Sequence, residues 1–240
     1  MEKYFFEENP NPAAKIAFVM WTPFDYYVYK NIAKHLSEAE YVVCDTWYKN
    51  AKTRGAEHIH KSINLLKDAG VRWRVLSELD DISIIEPFFQ KYDVIAAVHL
   101  WPPLDSLSFE DWFSRKKSVL INYAATKDLS LFGPCVARFD IVLADGPYGH
   151  EYFKLLAESH IIGIPKYDDW FNKNIDEAKL YKIKKLLGFS KKTVLYLPTH
   201  SGLSSLYKFH GAVSSLADSY NVLIKLHQHS RLTESSIVQK

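Results

Sequence analysis

The stretch YLPTHSGLSSL, from Tyr196 to Leu206, carries more chemistry than a simple strand-to-helix connection needs. Val194, Leu195, Tyr196 and Leu197 read as a buried strand and Pro198 ends it. Thr199, His200, Ser201, Gly202, Ser204 and Ser205 then crowd the next seven places. A helix N-terminus offers unpaired N–H groups and the positive end of a dipole, which together suit a phosphate. Gly202 lets a ligand approach the backbone, and Ser204 and Ser205 add hydroxyl donors. The imidazole of His200 can donate to a phosphate oxygen or move a proton near neutral pH. The plainer alternative is Ser201 as an N-cap with His200 at the surface. A second strand, LIKL, runs into His227, Gln228 and His229. Three imidazoles would suit zinc, yet no acidic partner lies beside them, so phosphate handling is preferred and no metal is expected.

Other reactive types gather in similar places. Trp21-Thr22-Pro23-Phe24-Asp25 follows the first apolar run, and His99-Leu100-Trp101-Pro102-Pro103 ends the fourth. Asn122, Tyr123 and Lys127 follow the fifth, and Asp145, Gly146, Pro147 and Tyr148 the sixth. In an open parallel sheet, ligands bind outside the carboxyl ends of the strands. Each group alone is compatible with ordinary turn chemistry; their concentration on one edge is the informative part. The aromatic residues of WTPFDYYVYK and HLWPP read as core and rim, with sugar stacking as the alternative.

The elements that must position these residues alternate between β-rich apolar runs and longer helical patterns. Strands are expected at 15–21, 41–44, 73–76, 93–100, 118–121, 140–144 and 161–164. Amphipathic segments such as YYVYKNIAKHL and EHIHKSINLLKDAG lie between them, the second stopped by Gly70. This alternation predicts βαβ units and a mostly parallel sheet covered on both faces. A charged seam, PKYDDWFNKNIDEAKLYKIKKLLGFSKK, then precedes a strand at 193–197, a helix near 203–218 and a strand at 222–226. Leu203, Leu206, Phe209, Val213 and Leu216 give that helix one apolar face. The expected organisation is a Rossmann-like α/β domain at 1–165, a linker at 166–192 and the opening of a second α/β domain at 193–240. Two strands and one helix cannot bury a sheet on both faces, so the second domain is expected to be truncated.

The bulk composition narrows the function classes. With 48% hydrophobic and 15% aromatic residues among 240, the chain can bury a sizeable core. Thirty Lys and Arg against 28 Asp and Glu provide no overall field to draw in nucleic acid. The lysines at 179, 182, 184, 185, 191 and 192 read as a solvated helix face and turn, with a patch for anionic lipid or substrate as the alternative. Cys44 and Cys135 sit beside apolar residues, which suits buried thiols in a reducing compartment. The acidic N-terminus has no signal-peptide pattern, and no run reaches the roughly 20 apolar residues of a transmembrane helix. The expected location is cytoplasmic, with a peripheral position at the inner face of the membrane as the alternative.

VLYLPTHSGLSSL followed by LIKLHQHS resembles the second-domain opening of the CDP-glycerol glycerophosphotransferases, the teichoic-acid primases and polymerases, whose members carry LYAPTW…SS and then RLHP. IIGIPKYDDWF is similar to the VIGYPKLD-like text that precedes it in the family. INYAATKDLSLFGPCVARFDIVLADGPY is similar to the acceptor segment ending in D-x-V-L-x-x-G-P-Y. The resemblance implies a GT-B-like fold and transfer of glycerol phosphate, or a similar polyol phosphate, from a CDP-activated donor to a hydroxyl of a glycan or lipid-linked acceptor. It implies catalytic roles for His200 and His227, and donor-phosphate contacts from Thr199, Ser201, Gly202, Ser204 and Ser205. Asn122, Tyr123, Lys127, Gly146 and Tyr148 would face the acceptor. No cofactor and no nucleic acid partner are expected. Three positions depart from the family pattern. Asn122-Tyr123-Ala124-Ala125 replaces a His-Gly pair, Gln228 stands where proline is preferred, and a further donor segment would lie beyond Lys240. The 240-residue chain alone is therefore expected not to release CMP. Two alternatives stay open: a GT-B nucleotide-sugar glycosyltransferase or epimerase-like protein, and a non-catalytic member of the family.

Overall fold

A computed structural model describes residues 7–44, 55–76, 82–98, 116–123, 134–188, 191–199 and 204–227. The chain divides into two compact units, Met1–Lys173 and Asn174–Lys240.

The first unit alternates strands and helices. The order is β1 (Ile16–Met20), α1 (Pro23–Ala33), β2 (Ala39–Cys44), α2 (Gly55–Asp68), β3 (Trp73–Leu76), α3 (Ile82–Gln90) and β4 (Val94–Ala97). It continues through β5 (Lys117–Ile121), β6 (Ile141–Ala144), α4 (Pro147–Phe153), β7 (Glu158–Ile161) and the short α5 (Asp168–Phe171). The strands form one seven-stranded sheet in the order β3-β2-β1-β4-β5-β6-β7, and every neighbouring pair is parallel. β1 pairs with β2 on one side and β4 on the other, with Phe18 opposite both Tyr41 and Ala96. The direction of winding reverses between β1 and β4, which is where a doubly wound sheet opens a crevice.

Alternation along the strands sends side chains to two apolar clusters. Ala17, Val19 and Trp21 join Val42, Ile95, Leu120 and Val142 on one face, with Ile85 and Phe89 of α3 and Phe153 of α4. Phe18 and Met20 join Tyr41, Val43, Ala96 and Ile121 on the other, with Val28 and Tyr29 of α1 and Ile63 and Leu66 of α2. The result is a three-layer α/β unit, as the alternating pattern predicts. Gly70, at φ +64°, takes the left-handed turn that ends α2.

Two differences from the sequence reading have local causes. β7 runs Glu158–Ile161 rather than over the apolar IIGI at 161–164. Among the described residues it is the edge of the sheet, paired with β6 alone, so the polar Glu158, Ser159 and His160 can occupy it. Ile161 and Ile162 are exposed, and Gly163 turns the chain away at φ +74°. The first unit also runs past 165 to Lys173, because Asn31 Nδ2 of α1 donates to Pro165 O at 2.9 Å and Lys30 pairs with Asp169.

The second unit contains α6 (Glu177–Leu187), β8 (Thr193–Tyr196), α7 (Leu206–Ser215) and β9 (Asn221–Ile224). β8 and β9 form their own two-stranded parallel sheet, with Tyr196 opposite Ile224. Leu195, Leu197, Leu223 and Ile224 are exposed, as are Phe209 and Leu216 from the apolar face read for α7. Lys179, Lys182, Lys184 and Lys185 are exposed on α6. Among the described residues no helix is long and apolar enough to cross a membrane.

At the amino ends of the first unit's strands, Glu40 is buried as a fastening point. Its Oε2 accepts from Asn11 N at 2.7 Å, and its Oε1 accepts from Lys91 Nζ and from the Tyr92 hydroxyl. Replacing it leaves the buried Tyr92 hydroxyl without its acceptor, which costs about 1–3 kcal/mol, and removes the part-buried bonds from Asn11 N and Lys91. Glu40→Ala should lower the unfolding free energy in urea by at least about 2 kcal/mol, and an unchanged midpoint would show that these bonds are dispensable.

Candidate functional site

The carboxyl ends of β1, β5 and β6 collect polar and aromatic side chains. After β1, the buried carboxylate of Asp25 accepts from Trp21 N at 2.7 Å and Thr22 N at 2.9 Å through Oδ2. These bonds fix the turn into α1, with Pro23 in its first turn where a missing N–H costs nothing. The Tyr29 hydroxyl donates to Val19 O at 2.7 Å and holds the helix to its strand. Phe24 is thereby presented edge-on to Tyr123, with ring centroids 5.3 Å apart at 66°. Burial, reinforced by the charge of Asp25, raises the Tyr123 phenol well above its ordinary range, so it stays a neutral hydroxyl.

Asn122 and Tyr123 follow β5. Asn122 N donates to Leu143 O at 2.9 Å, continuing the ladder to β6. The side chain of Asn122, itself buried, donates through Nδ2 to Asp145 Oδ1 at 3.0 Å. Gly149 of α4 lies directly over this pair. A Cβ there would come within 3.2 Å of Asp145 Oδ1 and of Phe153 Cε2, so a larger residue would require these side chains to give by a few tenths of an ångström. Lys166 reaches the same edge from beyond β7. Its Nζ stands 3.4 Å from Tyr123 O, 5.2 Å from the centre of the Phe24 ring and 4.9 Å from that of Tyr167.

The site residues expected from sequence are distributed unevenly over this arrangement. Asn122 and Tyr123 stand together at the strand ends. Gly146 caps α4 in an extended conformation, and Tyr148 is 77% exposed. Lys127 lies outside the described residues, as do His200, Ser201 and Gly202. In the second unit, Thr199 and His227 each stand three residues past the paired ends Tyr196 and Ile224, hence on the same edge of the small sheet. The Ser204 hydroxyl accepts weakly from Leu206 N at 3.4 Å. Ser205 shares a 2.6 Å hydrogen bond with the Tyr196 hydroxyl, so its oxygen is already engaged by the strand it follows. Asp25 and Asp145 were read from sequence only as members of the strand-end groups, and Lys166 was given no role. An acid directly after the apolar IVLA was the available signal for Asp145.

No protein-family model matches the chain, and no curated protein matches it. Among solved structures it is similar to the wall teichoic acid polymerase TagF soaked with CDPG, at 15% identity and a TM-score of 0.53. The likeness covers 92% of this chain and 56% of that one, so the chain spans about half the length of the TagF chain. At this identity the likeness is one of fold. It matches the parallel α/β architecture to a GT-B-like protein.

The segment that carries Lys166 is tied to α1 by Asn31 and by the Lys30–Asp169 pair. The Lys30 hydrogen bond holds the Asp169 carboxyl below its usual range. A carboxyl depressed on folding stabilises above its unfolded value of about 3.9, and that contribution is lost as pH falls toward the lower folded value. In a carboxyl-carbon NMR titration Asp169 should therefore titrate below about 3.9, and Lys30→Ala should move it upward. A titration unaffected by that substitution would mean the pair does not form in solution.

Proposed function

We propose that this chain serves the transfer of glycerol phosphate, or a similar polyol phosphate, from a CDP-activated donor to a hydroxyl of a glycan or lipid-linked acceptor. The observation that carries this reading is the coincidence of two independent likenesses. The fold likeness to TagF spans 92% of the chain, and the LPTH…SS and LHQHS text falls in the order seen in the glycerophosphotransferases.

In this reading the acceptor hydroxyl attacks the distal phosphorus of the donor and CMP leaves. Such chemistry asks the protein mainly to position two substrates and neutralise charge. His200, Ser201 and Gly202 would meet the pyrophosphate in the segment between β8 and α7, with Thr199, Ser204 and His227 contributing. Ser205 would have to leave Tyr196 to contribute its hydroxyl. The first unit would hold the acceptor near Asn122 and Tyr123, with Lys127, Gly146 and Tyr148 at its margin. A cytoplasmic protein resting against the inner face of the membrane would reach a lipid-linked acceptor.

Isothermal titration calorimetry provides the test. The chain should bind CDP-glycerol more tightly than UDP-glucose, and His200→Ala should weaken CDP-glycerol binding about tenfold or more, the loss of one charge-assisted hydrogen bond. Preference for the UDP-sugar would favour a nucleotide-sugar glycosyltransferase or epimerase. Unchanged affinity in His200→Ala would return that residue to the surface.

A further inference from the structure

Among the described residues the seven-stranded sheet has two edges, β7 and β3, and they differ in composition. β7 carries the polar Glu158, Ser159 and His160. β3 is Trp73-Arg74-Val75-Leu76, mostly apolar, with two strong β-formers and a single charge. An apolar edge strand that presents open N–H and C=O groups is a template for pairing with another chain.

The outward groups of β3 can be named. On its inner side, Tyr41 N of β2 donates to Arg72 O at 2.9 Å, and along a strand successive residues turn their backbone groups to opposite neighbours. Trp73 and Val75 therefore turn their N–H groups away from β2, and both are taken by the segment that precedes β1. Trp73 N donates to Asn9 O at 2.9 Å and Asn9 N donates to Trp73 O at 3.2 Å, an isolated antiparallel bridge. Val75 N donates at 2.9 Å to a side chain, Glu8 Oε1, which takes the part of a neighbouring strand's carbonyl. The other Glu8 oxygen lies 3.4 Å from Arg74 Nε. Asn9 Nδ2 donates to Val71 O at 3.0 Å, and Arg72 Nη1 donates to Asn9 Oδ1 at 2.5 Å. Two residues thus occupy the edge without forming a strand. Pro10 and Pro12 follow them, and neither has an N–H to offer a further strand.

We propose that Glu8 and Asn9 guard the β3 edge against pairing with a second copy of this chain. Once released, Trp73 and Val75 would bond across a two-fold axis to the same residues of the copy, in antiparallel sense. Such a self-complementary contact closes at two chains. The inference concerns association and does not rest on the transferase reading.

Size-exclusion chromatography with light scattering tests it on the whole chain at rising concentration. Three proteins are compared: wild type, Glu8→Ala/Asn9→Pro, and the same pair with Val75→Pro added. The double substitution removes the acceptor of Val75 N, the Asn9 N–H and both side-chain ties. Val75→Pro removes an edge donor that β2 does not use. The expected result is a doubling of mass in the double variant relative to wild type, and a return to the wild-type mass when Val75→Pro is added. A double variant of wild-type mass at every concentration overturns the proposal. A larger species that persists with Val75→Pro overturns it too, since that association does not run through the β3 edge. Circular dichroism of the double variant supplies the remaining check: loss of its fold would make Glu8 and Asn9 part of the fold's foundation rather than a guard, and would also overturn the proposal.

Discussion

β1 is hydrogen-bonded on both edges and buried on both faces, and the first unit is arranged around it. Its partners β2 and β4 run parallel to it, so each connection must cross a face of the sheet rather than turn back in a hairpin. Those crossings bring α1 and α2 to one face and α3 to the other, and they close the two apolar clusters. The same constraint leaves the carboxyl edge open. With both faces spent on the core, polar chemistry has room only where strands give way to loops.

That edge is organised by short-range devices that serve long-range ends. Asp25 uses its carboxylate on the two N–H groups before α1, and so presents Phe24 to Tyr123 across the point where the winding reverses. Asn122 joins the ends of β5 and β6 through Asp145. Lys166 arrives from a segment moored to α1 by Asn31 and Lys30. The opposite end of the sheet is fastened instead: Glu40 binds Asn11, Lys91 and Tyr92, and Asp140 accepts from Ser118 N at 2.7 Å. Fastening at the amino ends and a gathering of polar groups at the carboxyl ends is the division of labour expected of a doubly wound sheet.

Much of the fold was legible because burial on both faces writes apolar runs directly into the chain. IAFVM, YVVC, WRVL and VLI need no partner to be read as strands. β7 was misplaced because an edge strand lacks that requirement, and the apolar IIGI beside it was the louder signal. The site was less legible. Asn122 and Tyr123 follow a strand and could be named from position alone. The contact of Asn122 with Asp145 spans 23 residues and that of Lys166 with Tyr123 spans 43, and neither separation has a periodicity that announces it. Ser205 illustrates the converse. Its type suggested phosphate, while the hydroxyl of Tyr196 nine residues earlier engages it.

The central claim is that a CDP-activated donor meets the segment between β8 and α7. Amide chemical-shift mapping with CDP-glycerol on the whole chain addresses it most directly. The account predicts perturbations concentrated at Thr199–Ser205 and at His227. Perturbations confined to the amino ends of the strands, around Glu40 and Asp140, or none at saturating CDP-glycerol, would contradict it.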